Sequence, residues 1–329
     1  MTRYFFSKII ALLVGVILLI IAYLHNSNSL YVINGDAYGT TWSITSSEYI
    51  GDHHKDNIES IINRIDYVAS NYKIDSEIAK INNTFKEYQF ISKDLFNILK
   101  VAKEVEINSN GFYNIMLGKI SGELGFSPTF NKNLIQKKVS TFDLDENNYS
   151  LIRNSNNWFD LSSIAKGYAV QELHNYLINN NLSNHLIDIG GEVIVNGLNN
   201  GDPWTVGIQD PNYINNKPII LIKNINTNFL AIATSGEYRN YNFDIDGNKV
   251  THTINPKTLK SINNNILSVT VVDESSATYA DAYATSFNAM GSEMAIEIAN
   301  KNGIAVMLII ERNNEIEFIY SNKWYDLSL

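Results

Sequence analysis

The segments TVGIQ (205–209), PIILIK (218–223), FLAIAT (229–234), YNFDI (241–245) and ILSVTVV (266–272) decide the fold class. Each is short and rich in β-branched or aromatic residues, and turn-forming Asn, Asp and Gly separate one from the next. A largely antiparallel sheet is therefore predicted between Trp204 and Val272. Towards the N-terminus the period changes: Ile58, Ile61, Ile62, Ile65 and Val68 recur at helical spacing. So do Leu95, Ile98, Leu99, Ala102 and Val105, in a second helix that starts near Ser92 and stops at Gly111. Helices and strands are segregated along the chain, so the predicted class is α+β, with mixed, largely antiparallel sheets and packed helices.

Composition sets few obstacles and several exclusions. A chain of 329 residues, 45% hydrophobic and 18% charged, can bury a full core without cross-links. It has no Cys at all, which excludes disulfides, thiolate nucleophiles, zinc ribbons and a lipid-modified N-terminal Cys. The formal charge of -9, with no Lys/Arg cluster to offset it locally, argues against a nucleic-acid partner. The excess of Asn and Ile reads as coding bias.

The N-terminus carries a membrane signal. After Arg3 and Lys8 the run IIALLVGVILLIIAYL (9–24) is uncharged, a length between a signal-peptide core and a full span. The following HNSNSLYV offers no small-x-small cleavage site, and Tyr23 suits an interfacial anchor. We expect residues 1–29 to be an anchor or signal sequence, an uncleaved single transmembrane helix being the preferred reading. By the positive-inside rule the N-terminus stays in the cytoplasm and residues 30–329, one catalytic unit without linker or repeat, lie outside it.

Four stretches have the residue types for chemistry, and each has an ordinary alternative. In Asp160-Leu161-Ser162-Ser163-Ile164-Ala165-Lys166-Gly167, Ser162 or Ser163 would cap a helix whose N-terminal N–H groups and Lys166 face an anion; the alternative is a capped helix with a solvated lysine. Asp281 and Thr285 are four apart, on one helical face, and offer a hard oxygen half-site suited to magnesium; an acid near a helix start is also a routine cap. Thr234-Ser235-Gly236-Glu237-Tyr238 follows an apolar strand and allows close approach of a phosphate, and the nearby His252 is the natural candidate for a general base or acid by its residue type. His53, His54, His174 and His185 have no such company and read as structural or solvated. Gly190-Gly191 lacks dinucleotide-fingerprint spacing and reads as a tight turn.

Taken in order, these stretches resemble the ApbE family of FAD:protein FMN transferases. The resemblance starts at Tyr38-Gly39-Thr40-Thr41-Trp42 and passes through Ser70-Asn71-Tyr72, Asp75-Ser76-Glu77-Ile78, Ile81-Asn82 and Gly111-Phe112-Tyr113. It then takes in DLSSIAKGYAV (160–170), IDIGGEV (187–193), ATSGEY (233–238), HTINP (252–256) and ADAYAT (280–285). The resemblance implies an ApbE-like fold and a Mg2+ ion held by Asp281, Thr285 and the backbone carbonyl of Ser163. It further implies FAD, as substrate, bound along Thr40, Tyr72, Ser76, Lys166, Gly190, Gly191, Thr234, Ser235 and Gly236. Lys166 would neutralise phosphate charge and His252 would assist the incoming hydroxyl. The implied reaction moves FMN from FAD to a Ser or Thr of an acceptor protein, possibly a flavin-carrying subunit of a membrane redox complex, and releases AMP.

Some residues depart from the family's pattern. It usually has Asp where this chain has Asn114, Trp where Leu124 stands, Ala at Ser163, and Gly at Leu259, where a side chain restricts a turn close to His252. Asp281, Thr285, Lys166 and His252 are retained, so an active enzyme is expected. Alternative readings are an FAD pyrophosphatase using the same groups, a non-catalytic flavin-binding protein, and an anchored structural protein without flavin.

Overall fold

The structure is a computed structural model that describes residues 2–27, 29–128, 135–212, 217–236, 241–243, 247 and 249–327, without the side chains of 2–4, 21–27 and 249. Its centre is an eight-stranded sheet whose strands lie side by side in chain order, every neighbouring pair antiparallel. They are β1 (Tyr31–Ala37), β2 (Thr40–Ser46), β3 (His185–Ile189), β4 (Glu192–Asn196), β5 (Leu230–Gly236), β6 (Ile266–Asp273), β7 (Ala305–Arg312) and β8 (Glu315–Tyr320).

Both faces of the sheet are covered, and period-2 alternation sorts the side chains between them. Along β7, Val306, Leu308 and Ile310 enter the larger core, whereas Ala305, Met307 and Ile309 enter a smaller one with Trp204, Ile208 and Ile222. The larger core is roofed by helices α2 (Asp52–Ala69), α3 (Glu77–Asn83), α4 (Lys93–Asn108), α6 (Ala165–Asn179), α7 (Ala277–Met290) and α8 (Ser292–Asn302), with the short α5 (Gly118–Glu123) at one side. The N-terminal helix α1 (Thr2–Ser27) precedes them all. Among the described residues no helix is long and apolar enough to cross a membrane. The side chains of residues 21–24, at the end of the span expected at the N-terminus, and of Arg3 before it are not among those described.

The periodic helices form where the pattern places them. Ile58, Ile62, Ile65 and Val68 are the buried stripe of α2, and Ser92 caps α4 by accepting the Leu95 N–H at 3.2 Å. α4 ends at Asn108, before Gly111, because Gly111 turns back at φ 73° and donates its N–H to the Glu106 carbonyl at 2.8 Å. Segregation of helices from strands does not hold: β1 and β2 come first, and α2 to α6 are inserted before β3. Nor do the five predicted strands share one sheet. FLAIAT and ILSVTVV lie in the central sheet, but Thr205–Gln209 and Pro218–Lys223 pair only with each other as a lid over the smaller core. Tyr241–Phe243 pairs with Lys249–Thr251, and Asp244 and Ile245 lie outside the described residues. Local pattern marks a strand, but the partner is chosen by which apolar face it covers.

Candidate active site

The site is built around the first turn of α6, and the residue that completes that turn comes from another helix. The N-cap is Ile164, which has no side-chain hydrogen bond to give. Neither serine takes the capping part expected of it: the Ser162 N–H donates to Asp160 Oδ1 at 3.0 Å, and Ser163 Oγ lies 2.9 Å from the Tyr113 hydroxyl. Instead, the Gly167 N–H donates to Asp281 Oδ2 at 2.8 Å. The bond requires glycine, because a Cβ at Gly167 would sit 2.5 Å from the Ala277 carbonyl oxygen and 2.6 Å from Asp281 Cβ. In return the Ala277 N–H, at the start of α7, donates to Gln171 Oε1 of α6 at 3.0 Å. Each helix thus satisfies an orphan N–H of the other, which fixes their relative position.

Lys166, one residue before this contact, ion-pairs with the carboxylate of Glu192 at the start of β4. Glu192 and Asp281 are each only 4% exposed, so two carboxylates are buried within electrostatic reach of one ammonium. Burial pushes the Glu192 carboxyl up to about 7, against the pull of Lys166 and with a further push from Asp281. Burial also raises Asp281, opposed by Lys166 and by the Gly167 N–H. Charge buried in this way is costly unless paired, so the three groups form one electrostatic unit.

The glycine pair positions that unit. Gly190 and Gly191 have φ of 62° and 101°, and the Gly191 N–H donates to Asp188 Oδ1 at 2.8 Å, closing the tight turn the sequence implies. Gly190 donates to the Thr41 carbonyl at 3.2 Å, and a Cβ on it would meet Thr40 Cγ2 at 2.7 Å. The β1–β2 turn with Thr40 therefore lies directly beside the β3–β4 turn.

α7 links this region to the remaining candidates. Asp281, Thr285 and Asn288 stand at i, i+4 and i+7, on one face. Asn288 Nδ2 donates to Ser235 Oγ at 3.3 Å and to Thr253 Oγ1 at 3.4 Å, which joins the end of β5 and the neighbour of His252 to the helix. Gly236 ends β5, and Thr234 Oγ1 is 3.0 Å from Thr270 Oγ1 across the sheet. Glu237 and Tyr238 lie outside the described residues. His252 is half-buried and meets the Phe126 ring edge-on, centroids 6.2 Å apart, and the Phe126 carbonyl accepts from the exposed Tyr72 hydroxyl at 2.8 Å.

The expected residues fall in three places: Thr40, Ser163, Lys166, Gly190, Gly191 and Asp281 around the α6 turn; Thr234, Ser235 and Gly236 at the end of β5, which Asn288 joins to the α7 face of Asp281 and Thr285; and Tyr72 with His252 around Phe126. Ser76 falls in none of them. It is fully buried, accepts the Ala79 N–H at 3.0 Å as the cap of α3 and donates to the Ser70 carbonyl at 2.6 Å. Its hydroxyl is engaged with the backbone that holds the Tyr72 loop. Glu192, Tyr113, Phe126 and Asn288 were not anticipated. Glu192 was detectable, since an acid opening the apolar run EVIVN has no counterpart in an ordinary buried strand. His174 and His185 are a buried pair 3.0 Å apart, both pushed down to about 4 chiefly by burial.

The donor set fits a hard divalent cation. Asp281, the Thr285 hydroxyl and the Ser163 carbonyl are all oxygen donors, and two buried acids beside one lysine leave negative charge for a cation to balance. Among the described residues there is no group of three or more His, Cys, Asp or Glu side chains that could hold a metal ion.

The chain is similar to several known proteins. The FAD:protein FMN transferase of Vibrio cholerae serotype O1 is 30% identical over 298 residues, 86% of this chain and 88% of that protein. That of Haemophilus influenzae is 30% identical over 307 residues, 86% of this chain and 87% of its own. The solved flavin transferase ApbE from Vibrio cholerae superposes with a TM-score of 0.79 at 26% identity, covering 91% of this chain and 99% of that one. The ApbE family model matches residues 38–308, a span that includes Lys166, Glu192 and Asp281 as well as Tyr72 and His252, and the chain belongs to the ApbE family.

Proposed function

We propose that this chain is a magnesium-dependent FAD:protein FMN transferase that links FMN to a Ser or Thr hydroxyl of an acceptor protein. The observation behind this reading is the buried unit of Lys166, Glu192 and Asp281 at the N-terminal end of α6, in a chain whose relatives bear that name. A helix N-terminus with an adjacent ammonium is suited to a diphosphate.

The hydroxyl oxygen of the acceptor attacks the phosphorus on the FMN side of the FAD diphosphate. The bond from that phosphorus to the bridging oxygen breaks, AMP leaves with its electron pair, and the hydroxyl proton passes to His252. Lys166 offsets the charge that gathers on the diphosphate, which the Gly190–Gly191 turn and Thr40 would line. Magnesium, held by Asp281, Thr285 and the Ser163 carbonyl, would supply further charge withdrawal. The isoalloxazine undergoes no redox change, and the exposed Tyr72 ring offers it a surface.

We place the catalytic unit outside the cytoplasm on a single N-terminal anchor, with a subunit of a membrane redox complex as acceptor. The support is the helical backbone of Thr2–Ser27 and its exposed apolar side chains, among them Phe5, Ile10, Leu12 and Leu19. Incubating the protein with FAD, Mg2+ and candidate acceptors, then viewing flavin fluorescence in a denaturing gel, tests the reading. A fluorescent acceptor band supports it. AMP release without an acceptor would establish a pyrophosphatase instead, and tightly bound, intact FAD a non-catalytic binder.

A further inference from the structure

Lys166 is attached to a flexible four-carbon stem. Glu192 forms an ion pair with its ammonium. It opens β4, where its backbone is paired with Ile189, and it follows a turn whose positive φ values at Gly190 and Gly191 leave the chain little freedom. Its side chain is 6% exposed and forms the ion pair with Lys166, whose own side chain is 27% exposed. One end of the pair is therefore pinned by the sheet and shut off from water, and the other reaches the surface. Asp281, itself held by the Gly167 N–H, feels the charge of the same ammonium.

We propose that Glu192 is a positioning residue for FMN transfer: its carboxylate presets the Lys166 ammonium at the N-terminal end of α6, so that the cation meeting the FAD diphosphate is already oriented. The inference rests on the transferase reading. A cation held in place before the substrate arrives loses no rotamer freedom as charge shifts on the phosphates, and the benefit falls on the chemical step more than on binding. Glutamine at this position keeps the shape and an acceptor oxygen but not the charge, and aspartate keeps the charge on a shorter reach.

The experiment has two readouts on the full-length protein. The first needs no flavin: Lys166 is labelled with an amine-reactive reagent at pH 8 and its rate followed by mass spectrometry. In Glu192→Gln we expect labelling several-fold faster than in wild type, with Glu192→Asp between them. The second is the FAD dependence of transfer, where Glu192→Gln should lower kcat by about tenfold or more with a smaller change in KM, and Glu192→Asp should recover part of the loss. Unchanged Lys166 labelling overturns the proposal, whatever happens to activity, because Glu192 would then act by some route other than Lys166. Faster labelling with unchanged kcat overturns it too. If Glu192→Gln does not fold, Glu192→Asp is read by the same two criteria. Absence of transfer by wild type would refute the transferase reading alone, leaving the labelling result to show whether Glu192 holds Lys166.

Discussion

Asp281, on α7, accepts the backbone N–H of Gly167, in the first turn of α6, at 2.8 Å. One carboxylate oxygen is thereby part of the joint between two helices, in a group proposed to hold a metal. Stability and chemistry consequently meet in a single side chain, and substitutions there must be chosen to separate them.

Asp281→Asn keeps an oxygen able to accept the Gly167 N–H but removes the charge. We expect it to fold normally and to transfer FMN slower by several factors of ten, each factor being about 1.4 kcal/mol of lost transition-state stabilisation. Asp281→Ala loses the cap as well and should cost about 1–2 kcal/mol of stability in urea titrations. Thr285→Ala removes a neutral donor that water replaces in part, so its activity should lie between wild type and Asp281→Asn. Exhaustive chelation should reproduce the Asp281→Asn phenotype. A folded Asp281→Asn protein with wild-type turnover would remove Asp281 from the metal site.

Gly167→Ala tests the joint without touching a charge. Its Cβ would lie 2.5 Å from a backbone oxygen, which cannot swing aside as a side chain does. Overpacking of this kind costs about 1–3 kcal/mol, so the urea midpoint should fall clearly and FAD binding should weaken as α6 and α7 separate. An unchanged midpoint would show that the two helices are not locked together here.

How much of this was legible in the sequence follows from what each signal depends on. The α2 and α4 stripes were readable because burial on one helix face repeats within a single segment. Asp281 and Thr285 were readable as neighbours for the same reason. The cap of α6 was not: Ser162 and Ser163 have the right chemistry in the right place, but the N–H is satisfied by Asp281, 114 residues away. Likewise the capping of α3 by Ser76 was not legible, since a hydroxyl in that pattern serves a cap or a ligand equally well. Glu192 was passed over because Gly190 and Gly191 beside it already explained the segment as a turn.

Leu259, where the family usually has Gly, adopts φ 59°, the left-handed region that costs an L-residue about 1–2 kcal/mol. Its side chain packs against the small cluster of Leu117, Ile120 and Ile254. Strain and packing oppose each other, so the order of variants is informative. Leu259→Ala keeps the strain and loses the packing, whereas Leu259→Gly loses both. We expect Leu259→Gly to have a Tm close to wild type and Leu259→Ala to melt lower than either. The reverse order of the two variants in a thermal scan would show that backbone strain is not what the leucine packing offsets.

A C-terminal alkaline phosphatase fusion should be active in cells, given Arg3 and Lys8 before the apolar run and the exposed apolar side chains of α1. An inactive fusion beside a working cytoplasmic reporter would reverse the proposed orientation.

Stability should depend on pH through Glu192, in the direction opposite to that of an ordinary salt-bridged acid. Its ordinary value is 4.5 and its folded value about 7, so between these the native protein holds the proton more tightly than the unfolded chain does. The stabilising contribution is complete below pH 4.5 and is lost as pH rises through about 7. Glu192→Gln cannot titrate, so the stability of wild type relative to this variant should decline from pH 5 to pH 8. Lys166 opposes the upward push on Glu192, and Lys166→Met takes that opposition away. The Lys166→Met protein should therefore lose stability over a window shifted to higher pH and should be hurt more at pH 8 than at pH 5, where Glu192 is protonated in any case. Urea titrations of the three proteins across this range provide the check. Parallel curves for wild type and Glu192→Gln would mean that the Glu192 carboxyl titrates alike in the folded and unfolded chain, and the buried charge unit would lose its energetic basis.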